Sequence, residues 1–322
     1  MSAEPSAPFG DHLRRRRERG LQRRQRVHEE LAAHQDNLVT PRQLAQLGLT
    51  YDEVRAELEA GRWHRVGRNT ISTGGPSLVG QDASLRRAVW DVGGGACLDG
   101  VSSLLAWGLQ KWDEETVHVS VDRGARYHRT SGVRVHVLRR RGAVVSAGIP
   151  RTPPEVATLR AAMWARTDRA AATLLAMAVQ QRLVEPGRLL RTWRDVGRCH
   201  RRPVLDRVVP LVADGAQALS EIDFAELGRS RGWPEPDRQV VVRTVRGRTY
   251  LDVRFTVYGV IVEVNGVQHY EALATMDDAL RRNDHAVGAG TALEIPAVAL
   301  TLAPDSFLDQ VEAALRRGGW HR

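Results

Sequence analysis

Between residues 38 and 72 the spacing of apolar positions changes several times. Leu44 and Leu47 stand at helical spacing behind Thr40-Pro41, an N-cap followed by proline at the first helical position. Gly48 closes that helix. Thr50-Tyr51-Asp52-Glu53 is a capping box for a second helix, with Val54 and Leu58 facing inward. Gly61 ends it, and Trp63, Val66 and Ile71 fall on two short strands joined through Gly67-Arg68-Asn69. Helix, tight turn, helix and hairpin predict a winged helix-turn-helix over residues 27–75, led by a short helix from Val27 to His34.

Residues 76–150 predict a mixed α/β region. Leu85 to Val92 has helical period and is broken by Gly93-Gly94-Gly95, and Ser102 to Trp107 makes another helix. Val117–Val121 and Val133–Val137 alternate apolar and polar residues and read as strands. Pro150, Pro153 and Pro154 mark a boundary, and residues 151–218 read as three or four Ala-, Leu- and Arg-rich helices. In residues 219–322 a helix capped by Ser220 precedes strands at Gln239–Val245, Thr249–Phe255 and Val260–Val264. A helix from about Thr275 to Val287, a strand near Val298–Leu302 and a closing helix from Asp305 to Arg317 complete the order αβββαβα. The pattern predicts an α/β multidomain chain with a winged front, a mixed and then helical middle, and an α/β back domain.

Composition narrows the classes. The chain has 322 residues, 42% of them hydrophobic, enough for about two domains or a little more. No run approaches the roughly 18 apolar residues of a membrane span. The arginine-rich first thirty residues hold no apolar core of a secretory signal, so a soluble, cytoplasmic protein without a membrane partner is expected. Cys97 and Cys199 are the only cysteines, which excludes a disulfide scaffold and a Cys-based zinc site. Of 47 basic residues 46 are arginine, a bias that a GC-rich genome explains by itself. Its placement says more. Residues 1–26 carry a net +5 and read as a flexible basic tail, whereas residues 219–322 carry −3. Attraction to nucleic acid is expected from the front two thirds.

The back domain holds the candidate chemistry. Tyr250, Asp252 and Arg254 share one face of their strand, and Ile261, Glu263 and Asn265 share one face of the next. Two carboxylates among apolar neighbours, facing one notch, make a hard-cation site for Mg²⁺, with Glu221 as a third oxygen ligand. The plain alternative is an ion pair of Asp252 and Glu263 with Arg254, Arg282 or a neighbouring arginine. His269 is either a general base or water-positioner, or a loop histidine bonded to backbone. Arg281 and Arg282 either meet a phosphate or form a solvated helix face.

Leu251-Asp252-Val253-Arg254-Phe255, Val262-Glu263-Val264-Asn265-Gly266, His269, Asp277, Arg282 and Asn283 together resemble the very-short-patch-repair-related branch of the PD-(D/E)XK nuclease fold, over residues 219–322. The resemblance implies a restriction-endonuclease-like domain hydrolysing phosphodiesters with Mg²⁺ on Asp252 and Glu263. Asn265 stands where the superfamily has its catalytic lysine.

Leu38 to Thr73, Gly100 to Leu109 and Val117-His118-Val119 resemble the antitoxin component of abortive-infection type IV toxin–antitoxin systems. That resemblance covers residues 27–150 and continues loosely to about 215, and it implies binding of promoter DNA and of a nucleotidyltransferase toxin. The helix from Thr50 to Ala60 carries a net −3 and is a poor reader of a phosphate-lined groove, or else a protein-docking face. DNA contact is therefore expected from the basic tail and the wing, through Arg62, Arg65 and Arg68. The expected function is a nucleic-acid-binding protein, on DNA, with an Mg²⁺-dependent endonuclease domain. The alternative is a non-catalytic, antitoxin-like transcriptional regulator.

Overall fold

A computed structural model describes residues 8–213, 222, 224–243, 249–265, 276–289 and 292–321. The chain is mixed α/β, with three small sheets among the described residues. It divides into two compact units, Met1–Leu98 with Glu115–Arg151, and Asp99–Glu114 with Thr152–Arg322.

The first unit opens on α1 (Pro8–Glu30), a 23-residue helix where a flexible tail followed by a short helix was expected. Arginine is a good helix former, and towards the C-terminal half of the helix Glu53 and Glu57 fold against Arg23 and Arg24 from 30 and more residues away. A single 3-10 turn (Ala32–His34) leads to β1 (Leu38–Val39), α2 (Pro41–Gln46), α3 (Tyr51–Glu59), β2 (His64–Arg65) and β3 (Ile71–Ser72). Both helix starts form full capping boxes, Thr40 with Gln43 and Thr50 with Glu53. β3 pairs antiparallel with β1 on one side and β2 on the other. Val27, Ala32, Val39, Leu44, Leu49, Trp63 and Ile71 make one buried cluster, so α1, α2 and the hairpin share a core. Next come α4 (Gln81–Val92), β4 (Cys97–Leu98), β5 (Val117–Asp122) and β6 (Val133–Leu138). β4 is antiparallel to β5, and β5 is parallel to β6.

α5 (Gly100–Ala106) belongs to the second unit, although it interrupts the first in sequence. Asp99 explains this. Its buried carboxylate accepts from Gly100 N at 2.8 Å, from Thr152 Oγ1 at 3.0 Å and from Arg160 at 2.6 Å, tying α5 to α6 (Pro154–Trp164). Gly100 is required there, because its φ is +52° and a Cβ would stand 2.8 Å from the Trp164 ring. With α7 (Asp168–Gln180), α8 (Pro186–Asp195) and α9 (Arg202–Ala213) the helical stretch has four described helices from Pro154 onward.

The back of this unit runs α10 (Phe224–Ser230), β7 (Arg238–Arg243), β8 (Thr249–Phe255), a 3-10 turn (Thr256–Tyr258), β9 (Val260–Asn265), α11 (Met276–Ala289), β10 (Ala292–Pro296), α12 (Ala297–Leu302) and α13 (Pro304–Arg317). The sheet order is β10-β9-β8-β7, with β10 parallel to β9 and the other pairs antiparallel. Leu251, Val253, Phe255, Val260, Val262, Val264, Leu293 and Ile295 bury one face, and Phe307, Leu308, Val311 and Leu315 of α13 are buried with them. The last strand lies earlier than expected: residues 297–302 are helix. The buried Asn283 on α11 fixes β10 by donating to Glu294 O at 2.9 Å and accepting from Glu294 N at 3.0 Å. Pro296 then ends the strand and leads into α12.

Candidate functional site

In the first unit the chemistry gathers around Glu57. This α3 residue is fully buried, which an unpaired carboxylate would not tolerate. Arg23 donates one nitrogen to Glu57 at 2.8 Å and the other to Glu53 at 2.7 Å. Arg24 reaches Glu57 at 3.3 Å, and Arg62 Nε donates to Glu57 Oε2. Burial pushes the Glu57 carboxyl up, but the hydrogen bonds from Arg23 and Arg62 and the charges of Arg24 and Arg62 outweigh it and hold it below its ordinary value. Glu53 is lowered too, first by the backbone hydrogen bond of its capping box at Thr50. Three arginines thus close on one carboxylate and pin α1 to α3 and to the start of the hairpin.

The pin decides which charges face outward. Arg62, expected on the wing, is exposed and bonds to Glu57. Arg65 and Arg68 are exposed at the hairpin tip, where Arg65 Nη1 donates to Arg68 O at 3.1 Å. On α3 the outward residues satisfy one another, since Arg55 lies 3.0 Å from Asp52 and 3.6 Å from Glu59 and sits over the Tyr51 ring. Arg14, Arg15, Arg16, Arg17 and Arg19 of α1 are all exposed. The hairpin tip is stitched to α4 by the buried Asp91, whose Oδ1 accepts from Asn69 N at 2.8 Å and Thr70 Oγ1 at 2.9 Å. Gly67 fits because a Cβ would land 1.9 Å from Asp91 Oδ2. Neither Glu57 nor Asp91 was singled out from sequence. For Glu57 the available signal was the Glu53/Glu57 pair, four residues apart on one helix face, downstream of a basic helix.

In the second unit, Asp252 on β8 stands directly opposite Glu263 on β9, and Glu294 on β10 stands opposite Glu263 in turn. One sheet face therefore carries a row of three carboxylates. Asn265 lies two positions beyond Glu263 on that face, half-buried, opposite Tyr250 and Pro296. The row is matched by arginines. Arg254 Nε contacts both Asp252 oxygens at 3.2 and 3.1 Å, Arg238 Nε lies 3.2 Å from Asp252 Oδ2, and Arg282 lies 3.6 Å from Glu294. Glu221 and His269 lie outside the described residues.

A hard cation at this row would compete with guanidinium groups for the oxygens of Asp252 and Glu294. Both oxygens of the buried Asp252 already face guanidinium groups. Among the described residues no group of three or more His, Cys, Asp or Glu side chains is placed to hold a metal ion. Also among them, no helix is long and apolar enough to cross a membrane.

No protein-family model matches the chain, and no curated protein matches it. Among solved structures it is similar to the RV2827C protein from Mycobacterium tuberculosis, with 15% identity and a TM-score of 0.36, over 62% of this chain and 76% of that one. A likeness of that degree bears on neither site.

Proposed function

We propose that this chain is a nucleic-acid-binding protein that contacts duplex DNA through the arginines of α1 and the hairpin tip. In this reading residues 27–75 are a winged helix whose second helix is turned from DNA reading to holding α1. The back domain is a restriction-endonuclease-like fold that binds rather than cuts, which favours the non-catalytic regulator over the endonuclease. The observation that carries the proposal is the Glu57 pin. It consumes Arg23, Arg24 and Arg62 while the five of residues 14–19 stay exposed.

The geometry suits a duplex. At 1.5 Å per residue, Arg14 to Arg19 span about 7.5 Å, over which duplex DNA presents about four phosphates. At 100° per residue, Arg15, Arg16 and Arg19 fall within about 100° of arc, so about three arginines can meet the backbone at once. The test is the affinity for a labelled 20-base-pair duplex, measured by anisotropy across a salt series. The R15Q/R16Q/R19Q triple variant should flatten the slope of log affinity against log salt by about 2.7, at 0.9 per lost contact. An unchanged slope in a folded variant refutes the assignment.

The facing of Asp252 and Glu263 favours the endonuclease as a second reading. Divalent-dependent nicking by the wild-type chain, abolished by D252A, would establish it over the binding-only back domain.

A further inference from the structure

Arg238 on β7 and Arg254 on β8 are direct register partners on adjacent antiparallel strands. Asp252 lies two residues from Arg254 on the same face, its side chain only 4% exposed. Both guanidinium groups meet this carboxylate through Nε, Arg254 at 3.1 Å and Arg238 at 3.2 Å. Among the described residues neither arginine has another polar partner. The two η nitrogens of each are left unused, on side chains 47% and 46% exposed. β7 is an edge strand with no neighbour on its far side among the described residues, so the pair stands at an open margin of the sheet.

We propose that Arg238, Asp252 and Arg254 form a clamp for one phosphodiester group of nucleic acid. The three groups sum to a net +1 and, with Glu263 opposite Asp252, to zero, so it is the directed η donors rather than net charge that would hold the anion. Anchoring each arginine at Nε restrains two long side chains in advance, lowering the ordering cost of binding. The free η edges form two forks aimed off the same face, and a phosphate offers the tetrahedral oxygens to accept from both. Asp252 is here a positioning residue: it touches no ligand and holds the two arginines together. The clamp rests on the nucleic-acid reading above and extends it to the back domain.

The experiment uses the full-length chain, a labelled 20-base-pair duplex and a salt series, in EDTA. R238A/R254A should weaken binding about tenfold at low salt and flatten the log–log slope by about 0.9, the value for one phosphate. R238K/R254K, which keeps charge but loses the forks, should hold the slope and recover only part of the affinity. R254Q serves if the double alanine variant does not fold, since glutamine can still donate to Asp252, and a reduced affinity is again expected. A folded R238A/R254A variant with wild-type slope and affinity overturns the clamp and leaves a surface ion pair. Inorganic phosphate, followed by ³¹P line width, is the second probe. Loss of phosphate binding in the double variant with duplex binding unchanged also overturns it, because the site then takes free phosphate. The α1 triple variant keeps the two claims apart. Failure of the clamp leaves the slope loss of that variant intact, and failure of the α1 assignment leaves the R238A/R254A loss intact.

Discussion

Replacing Glu57 tests the link between packing and function most directly, because one carboxylate holds α1 in place. E57Q keeps the side-chain volume and an acceptor oxygen but removes the charge that Arg23, Arg24 and Arg62 share. Hydrogen bonds to a charged group contribute about 1.5–3 kcal/mol each, but burying the carboxylate costs several kcal/mol, so the sum is far below three full bonds. Breaking a buried pair costs about 3–5 kcal/mol when the remaining charges stay buried. Here the arginine side chains are 23%, 29% and 45% exposed and can rehydrate, which lowers the expectation to about 2–3 kcal/mol for E57A and about 1–2 kcal/mol for E57Q. The chain has two units, so global unfolding mixes transitions, and amide hydrogen exchange along α1 is the better readout. Protection over residues 20–30 should fall in E57A while that of α6 and α7 is unchanged. The pH dependence has a definite sign. The folded-state carboxyl is held below its ordinary value, so its stabilisation is present above the unfolded value and disappears as pH falls through the folded one. Wild-type α1 should lose protection as the solution is acidified below about pH 4.5, the reference value for glutamate. E57Q should show a smaller acid-induced loss, the remainder coming from Glu53, which is lowered in the same sense. If α1 protection in E57A equals that of wild type, the pin does not hold the helix, and the fixed presentation of its arginines fails with it.

Two further outcomes follow from the same contacts. G67A should destabilise the hairpin tip by about 1–3 kcal/mol, since its Cβ would meet the Asp91 carboxylate, and duplex affinity should fall with it; thermal melts and anisotropy check both. D99A should destabilise the second unit by about 2–4 kcal/mol in urea titration, because the buried bonds of Asp99 to Gly100, Thr152 and Arg160 are lost, while exchange within β5 and β6 stays as it was.

Local rules reached most of the elements and little of their pairing. Thr40 and Thr50 announce their helices because an N-cap is read within four residues. Val117–Asp122 and Thr249–Phe255 announce themselves by alternation. Three features depend on residues far apart in sequence. α1 is held against α3 because Glu53 and Glu57 answer Arg23 from 30 and 34 residues away. α5 joins the second unit because Asp99 bonds Thr152 and Arg160, 53 and 61 residues on. β10 sits at Ala292–Pro296 because Asn283 grips Glu294 and Pro296 stops the ladder, whereas the more β-like run at Val298–Leu302 turns helical. Alternation within β8 and β9 put Asp252 and Glu263 on one face from sequence. The arginine that faces Arg254 could be named only after the β7–β8 register was known, and Glu294 only after β10 had moved.

The charge of an element is therefore a poor guide to the charge it presents. Read by itself, α3 repels DNA and α1 is too like-charged to fold. Once Glu53 and Glu57 are occupied by Arg23, Arg24 and Arg62, the outward residues of α3 reduce to Asp52, Arg55 and Glu59, a net −1 that is internally paired. α1 meanwhile keeps five exposed arginines on a helix held at its other end. The same logic applies on the back sheet, where a net −3 over residues 219–322 still leaves Arg238 and Arg254 gathered on Asp252, beside Glu263. At 0.15 M salt the screening length is about 8 Å, so a phosphate at that clamp would respond to these groups, Glu263 included, more than to the domain total. What the protein attracts is set by which carboxylates are already taken, and two buried ones, Glu57 and Asp252, each organise arginines.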